Sequence, residues 1–105
     1  MRLTKKKCVP CEGGTEPLSR AEAEKLLKEV PGWVLEDKTI KKQFKFKNFV
    51  EAMEFVNKVA ELAESEGHHP GIKISWNKVT LELWTHAIGG LSENDFIVAA
   101  KVDEL

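Results

Sequence analysis

The sequence predicts a two-layer α+β domain: a four-stranded antiparallel sheet with helices on one face, in the order α-β-β-α-β-β-α. Three observations carry this. Two segments alternate apolar and polar residues about a short turn, three segments repeat apolar residues at helical spacing, and each helical stripe opens on a capping signal. Helices separated by consecutive hairpins imply one sheet covered on one side, with its second face open.

The elements follow in chain order. Residues 1–17 read as an irregular arm, with Lys5-Lys6-Lys7, Gly13-Gly14 and Pro17, and the single domain is expected over 18–105. Ser19 and Glu22 form a capping box before Ala23, Leu26, Leu27 and Val30, and Pro31-Gly32 stops that helix. Trp33-Val34-Leu35 and Ile40 to Phe46 flank Glu36-Asp37-Lys38-Thr39 as a first hairpin. Asn48 with Glu51 opens a long helix over about 48 to 66, whose Phe49, Ala52, Met53, Val56, Val59, Ala60 and Ala63 make a wide apolar stripe ending at Gly67. A second hairpin is expected from His69 to His86. Ser92-Glu93-Asn94-Asp95 then caps a last helix carrying Phe96, Ile97, Ala99 and Ala100.

Composition narrows the function classes. A chain of 105 residues is one domain with a real core, and its net charge of −1 gives no basic groove for nucleic acid and no polybasic membrane surface. No apolar run approaches the ~20 residues of a bilayer span, and no hydrophobic segment follows the basic start, so the expected location is the cytoplasm. Cys8-Val9-Pro10-Cys11 has the spacing of a redox pair or half a zinc site. Two free thiols in the arm is the favoured reading.

Chemistry concentrates in the three histidines, His68, His69 and His86. Imidazole is the side chain whose ordinary pKa, ~6.5, lets it give or take a proton near neutrality. A two-residue loop at Asn77-Lys78 would set Trp76 opposite Val79, Ser75 opposite Thr80, Lys73 opposite Glu82 and His69 opposite His86. Directly opposed residues have Cβ atoms about 4.5–5.5 Å apart, so the two imidazoles would share one small ligand. By parity Ile72, Ile74, Trp76, Val79, Leu81 and Leu83 face the core, while Lys73, Ser75, Thr80, Glu82 and Trp84 line the open face. Trp84 there suggests a subunit contact or a stacking surface, and exposed sheet edges favour homo-oligomerisation. Glu64, four residues before His68, would hold that imidazole in one tautomer. Three histidines also suit a catalytic zinc site, but adjacent side chains of an extended chain point apart, so metal binding is the lesser reading.

Glu64-x-x-x-His68-His69-Pro70, then Trp76, His86 and Asp95, resembles the signature of the pterin-4a-carbinolamine dehydratases. Pro31-Gly32-Trp33, Lys42-Gln43-Phe44-Lys45-Phe46, Trp76-Asn77-Lys78-Val79, Thr85-His86 and Gly90-Leu91-Ser92 extend the likeness over roughly residues 18 to 103. The resemblance implies a hydro-lyase that takes 4a-hydroxytetrahydrobiopterin to the quinonoid dihydropterin in pterin recycling, with no cofactor and no metal. It implies a homodimer or homotetramer, and catalysis by His68, His69 and His86. Trp33, Glu64, His69 and Pro70 are the expected substrate-binding residues, with Trp33 as a pocket wall. Gly67 departs from the acidic residue that many members carry before the histidine pair. The alternatives are a non-catalytic homo-oligomeric interaction module, or a dehydratase-like protein acting on another pterin such as a molybdopterin precursor.

Overall fold

A computed structural model of the chain describes residues 3–8 and 16–105. It contains helices α1 (Arg20–Leu27), α2 (Phe49–Glu66) and α3 (Glu93–Val102). Strands β1 (Val34–Glu36), β2 (Thr39–Lys45), β3 (Gly71–Ser75) and β4 (Lys78–Leu83) form one antiparallel sheet in the order β1-β2-β4-β3. The expected α+β architecture and element order are present. Each predicted cap also forms: Ser19 Oγ accepts from the Glu22 N–H, Asn48 Oδ1 from the Glu51 N–H, and Asp95 Oδ2 from the Ser92 N–H.

The core lies between the sheet and the helices. Ile40, Val79, Leu81 and Leu83 of the two central strands meet Ala52 and Val59 of α2 and Phe96, Ile97 and Val98 of α3, all of them fully buried or nearly so. Helix α3 is buried almost all round, so it is the spine of the domain. Within the segment expected as an irregular arm, Leu3–Lys5 forms a turn of 3-10 helix, Leu3 is buried in the core, and Lys6 pairs with Glu93 of α3 at 2.9 Å.

The second hairpin is displaced from its expected register. Its loop is Trp76-Asn77, and Ser75 pairs with Lys78, Lys73 with Thr80 and Ile72 with Leu81. Asn77 decides this, because its carbonyl accepts from the Phe46 N–H at 2.8 Å and its side-chain amide donates to the Phe46 carbonyl at 2.9 Å. Those two bonds clamp the turn to the end of β2 and consume the residue expected to lead it. Moving the loop centre by one residue shifts pairing by two, so facing is preserved. Ile72 and Ile74 still share a face with Val79 and Leu81. Trp76 does not: it takes the turn position at φ 49° and is 64% exposed, where parity had placed it in the core.

The end of α2 aims the next residues. Gly67 sits at φ 65°, with its N–H on the Glu64 carbonyl and the His68 N–H on the Ala63 carbonyl, a Schellman closure. This left-handed residue reverses the chain and throws His68 and His69 onto different partners. No heavy atom lies within 4 Å of where a Gly67 Cβ would stand, so a side chain there meets backbone strain and no clash. Gly67→Ala is expected to cost roughly 1 kcal/mol and Gly67→Asn less. Urea midpoints test the order, and an Ala variant as stable as the parent would refute it.

Candidate active site

His68 points inward from the α2 cap, and its Nε2 lies 2.6 Å from Asp95 Oδ1. Asp95, fully buried, stands in the first turn of α3. Its second oxygen, Oδ2, accepts from the Thr85 hydroxyl and from the Ser92 N–H, both at 2.9 Å. Thr85 Oγ1 is in turn 2.8 Å from Ser92 Oγ. A carboxylate only accepts, so the His68 hydrogen sits on Nε2, and Nδ1 is left as the nitrogen that can exchange a proton.

His69 turns the other way. Its Nε2 lies 2.5 Å from Glu64 Oε2, and both side chains are well exposed. The carboxylate expected on His68 therefore serves His69, because the left-handed turn at Gly67 breaks the helical facing assumed for Glu64 and His68.

His86 does not pair with His69 across a strand ladder. Strand β4 ends at Leu83, and His86–Ile88 is one turn of 3-10 helix closed by Gly89 at φ 64°. The loop is pinched at its base by Thr85 and Gly90, with the Thr85 N–H on the Gly90 carbonyl at 2.8 Å. The imidazole packs on Trp84, ring centroids 4.3 Å apart.

These pieces enclose an open cleft of about 510 Å³ lined by His68, His69 and His86 together with Trp84, Thr85, Glu66 and Cys8, among others. The three histidines converge by tertiary packing, without the expected strand pairing. Pro70 is half-buried and leads into β3, outside the cleft lining. Trp33, expected as a pocket wall, does not line this cleft. It is a core residue, edge-on to Phe44, with its indole N–H spent on the Asp103 carboxylate at 3.1 Å. Three residues in or behind the cleft had weaker sequence signals: Asp95 read as a cap and a signature position, Trp84 as a residue of the open face, and Thr85 only as part of Thr85-His86. Among the described residues no three His, Cys, Asp or Glu side chains are grouped to hold a metal ion.

The arm contributes one wall. The Cys8 N–H donates to Glu66 Oε1 at 2.9 Å, and Lys101 Nζ bonds Glu66 Oε2 at 2.6 Å. The Cys8 bond first, and Lys101 next, hold the Glu66 carboxyl below its ordinary 4.5. Burial, reinforced by Glu66, pushes the Cys8 thiol up from 9.0 to about 12, so it stays neutral and unreactive at physiological pH. Cys11, the other half of the C-x-x-C reading, lies outside the described residues.

A compact α+β domain with a histidine cleft between a helix cap and a pinched loop defines the class of protein. The family model described as pterin 4 alpha carbinolamine dehydratase matches residues 16–105. A protein of Methylococcus capsulatus with the provisional name pterin-4-alpha-carbinolamine dehydratase is 57% identical, the match covering 98% of this chain and 92% of that one. One of Rubrobacter xylanophilus with the same provisional name is 48% identical over 98% and 97% of the two chains. Among solved structures, a transcriptional coactivator/pterin dehydratase from Brucella melitensis superposes with a TM-score of 0.81 at 33% identity, covering 85% of this chain and 97% of that one. A pterin dehydratase-like protein described as a RuBisCO assembly factor in the alpha-carboxysome gives 0.57 at 25% identity, over 69% and 83%. The chain belongs to the pterin-4-alpha-carbinolamine dehydratase family.

Asp95→Ala strips the Thr85 hydroxyl, the Ser92 N–H and His68 of a common buried acceptor and is expected to cost roughly 3 kcal/mol. Chemical denaturation reads this directly; a loss below about 1 kcal/mol would show that the carboxylate is dispensable to the fold. Glu66 supplies a pH test. A carboxyl whose folded pKa is depressed adds stability above its unfolded value, and that stability is lost as pH falls through the folded value. Thermal midpoints measured from pH 7 down to pH 3 should therefore fall less in Glu66→Gln than in the parent protein, and parallel curves would contradict the assignment.

Proposed function

We propose that this protein removes water from a 4a-hydroxytetrahydropterin to give the quinonoid dihydropterin. The observation that carries the reading is the convergence of His68, His69 and His86 on one cleft, two of them already held by carboxylates. In this reaction the C4a–O bond breaks and the departing hydroxyl takes a proton. The N5–H bond breaks as well, and its electron pair forms the C4a=N5 double bond. One proton is delivered and one removed, so the reaction needs a donor and an acceptor near neutral pH and no net redox change. Imidazoles serve as both.

In the proposed arrangement His69, exposed at the rim and steadied by Glu64, binds and orients the pterin. His68 and His86 stand toward the two ring faces: an imidazolium there delivers the proton to the departing C4a hydroxyl, and a neutral imidazole takes the N5 proton. The Asp95 bond fixes the His68 ring, leaving Nδ1 for proton transfer without a search over rotamers. The physiological pterin is 4a-hydroxytetrahydrobiopterin in this reading.

A second reading has its own support. The described likeness to a RuBisCO assembly factor, together with the edge strand β3, whose Ile72 and Ile74 are 39% and 40% exposed, favours a homo-oligomeric interaction module. The same free edge supports a homodimer or homotetramer under either reading. No helix among the described residues is long and apolar enough to cross a membrane.

Stopped-flow dehydration of freshly generated 4a-hydroxytetrahydropterin, with a chelator present, separates the two. The parent protein should accelerate water loss, and His69→Ala should lose about 100-fold or more of that acceleration while its circular dichroism is unchanged. Absence of acceleration by folded parent protein would favour the interaction module.

A further inference from the structure

Among the described residues that line the cleft, Trp84 is the one aromatic side chain apart from the histidines. It lies just past the end of β4, next to Leu83, which is fully buried on the opposite face of the chain. Its indole is half-buried and rests on the His86 imidazole at 4.3 Å between centroids, with the planes tilted by 39°. The two rings make a joined platform along one wall. The same cleft is lined by Gly67, His68 and His69 at the α2 cap.

This division has a chemical meaning. A pterin is a flat, electron-poor bicycle with donors and acceptors around its edge, so it needs an electron-rich face to lie on as well as polar groups at its rim. Indole supplies such a face. Of the two other indoles, Trp33 is sealed in the core with its N–H committed to Asp103, and Trp76 stands at an exposed turn. We infer that Trp84 is the stacking wall of the substrate site: it takes one face of the bicyclic ring and, through its contact with His86, sets that imidazole beside the ring it would protonate. The inference rests on the dehydratase reading and names a binding residue for it.

The test uses the full chain, Trp84→Leu and Trp84→Phe, with 7,8-dihydropterin as a flat probe lacking the 4a-hydroxyl. Calorimetric Kd for the probe and stopped-flow kcat and KM are measured together, with circular dichroism and sedimentation of each variant. Trp84→Leu is expected to raise Kd and KM about tenfold and to lower kcat severalfold as His86 loses its contact, and Trp84→Phe, which keeps a ring, to raise Kd and KM about twofold to threefold. Kd within twofold of the parent in Trp84→Leu would overturn the inference even if kcat collapsed, since the indole would then act only on His86. A change of sedimentation with probe binding intact would overturn it too, making Trp84 a subunit contact. Should Trp84→Leu fail to fold, the Phe variant decides: unchanged Kd and KM refute the stacking wall. Folded parent protein that neither binds the probe nor turns over substrate would remove the dehydratase reading and this inference together, an outcome distinct from every variant result.

Discussion

The structure of the cleft depends on one buried carboxylate. Asp95 has no solvent exposure, and burying an isolated charge there would be prohibitive. It is tolerated because three groups converge on it: the Ser92 N–H that begins α3, the Thr85 hydroxyl that follows β4, and His68 beyond α2. Those come from three separate stretches of the chain. Satisfying the charge therefore fixes the mutual placement of two helices and the sheet, and the same act positions an imidazole in the cleft. The first turn of α3 adds the favourable end of the helix dipole to the carboxylate.

Around that centre, stability and chemistry are divided among different kinds of interaction. The apolar core between the central strands and the helices holds the two layers together without specifying the site. Left-handed residues specify it: Gly67 reverses the chain after α2, and Gly89 closes the turn that carries His86. Both histidine-bearing segments are thus short, rigid departures from regular elements, a usual place for functional groups on a scaffold. The arm residue Cys8 closes a side of the cleft through Glu66 and Lys101, which links the first described residues to α2 and α3.

The order of elements, the antiparallel sheet and the three caps were all legible because they arise from local patterns, and local patterns survive folding. The facing of the second hairpin survived as well, even with its loop moved by one residue. Trp76 was misplaced for the same reason that the register was: the bonds from Asn77 to Phe46 join residues 31 positions apart, and no periodicity records them. Trp33 was misplaced because an indole beside Pro31-Gly32 looks alike in sequence whether its N–H meets a ligand or, as here, the Asp103 carboxylate.

By itself the sequence determined which residue types were available for the chemistry: three imidazoles, with Glu64 and Asp95 at set distances from them, on a chain of net charge −1. It also determined that His68 and His69 follow a helix cap, since the apolar stripe and Gly67 state that in local terms. Only the tertiary structure decided which carboxylate meets which histidine, that His86 leaves the sheet, and that Trp84 and not Trp33 faces the cleft. Spacing along a chain constrains side chains only within one regular element, whereas these partners lie on different elements whose approach is set by core packing and by the need to satisfy buried charge.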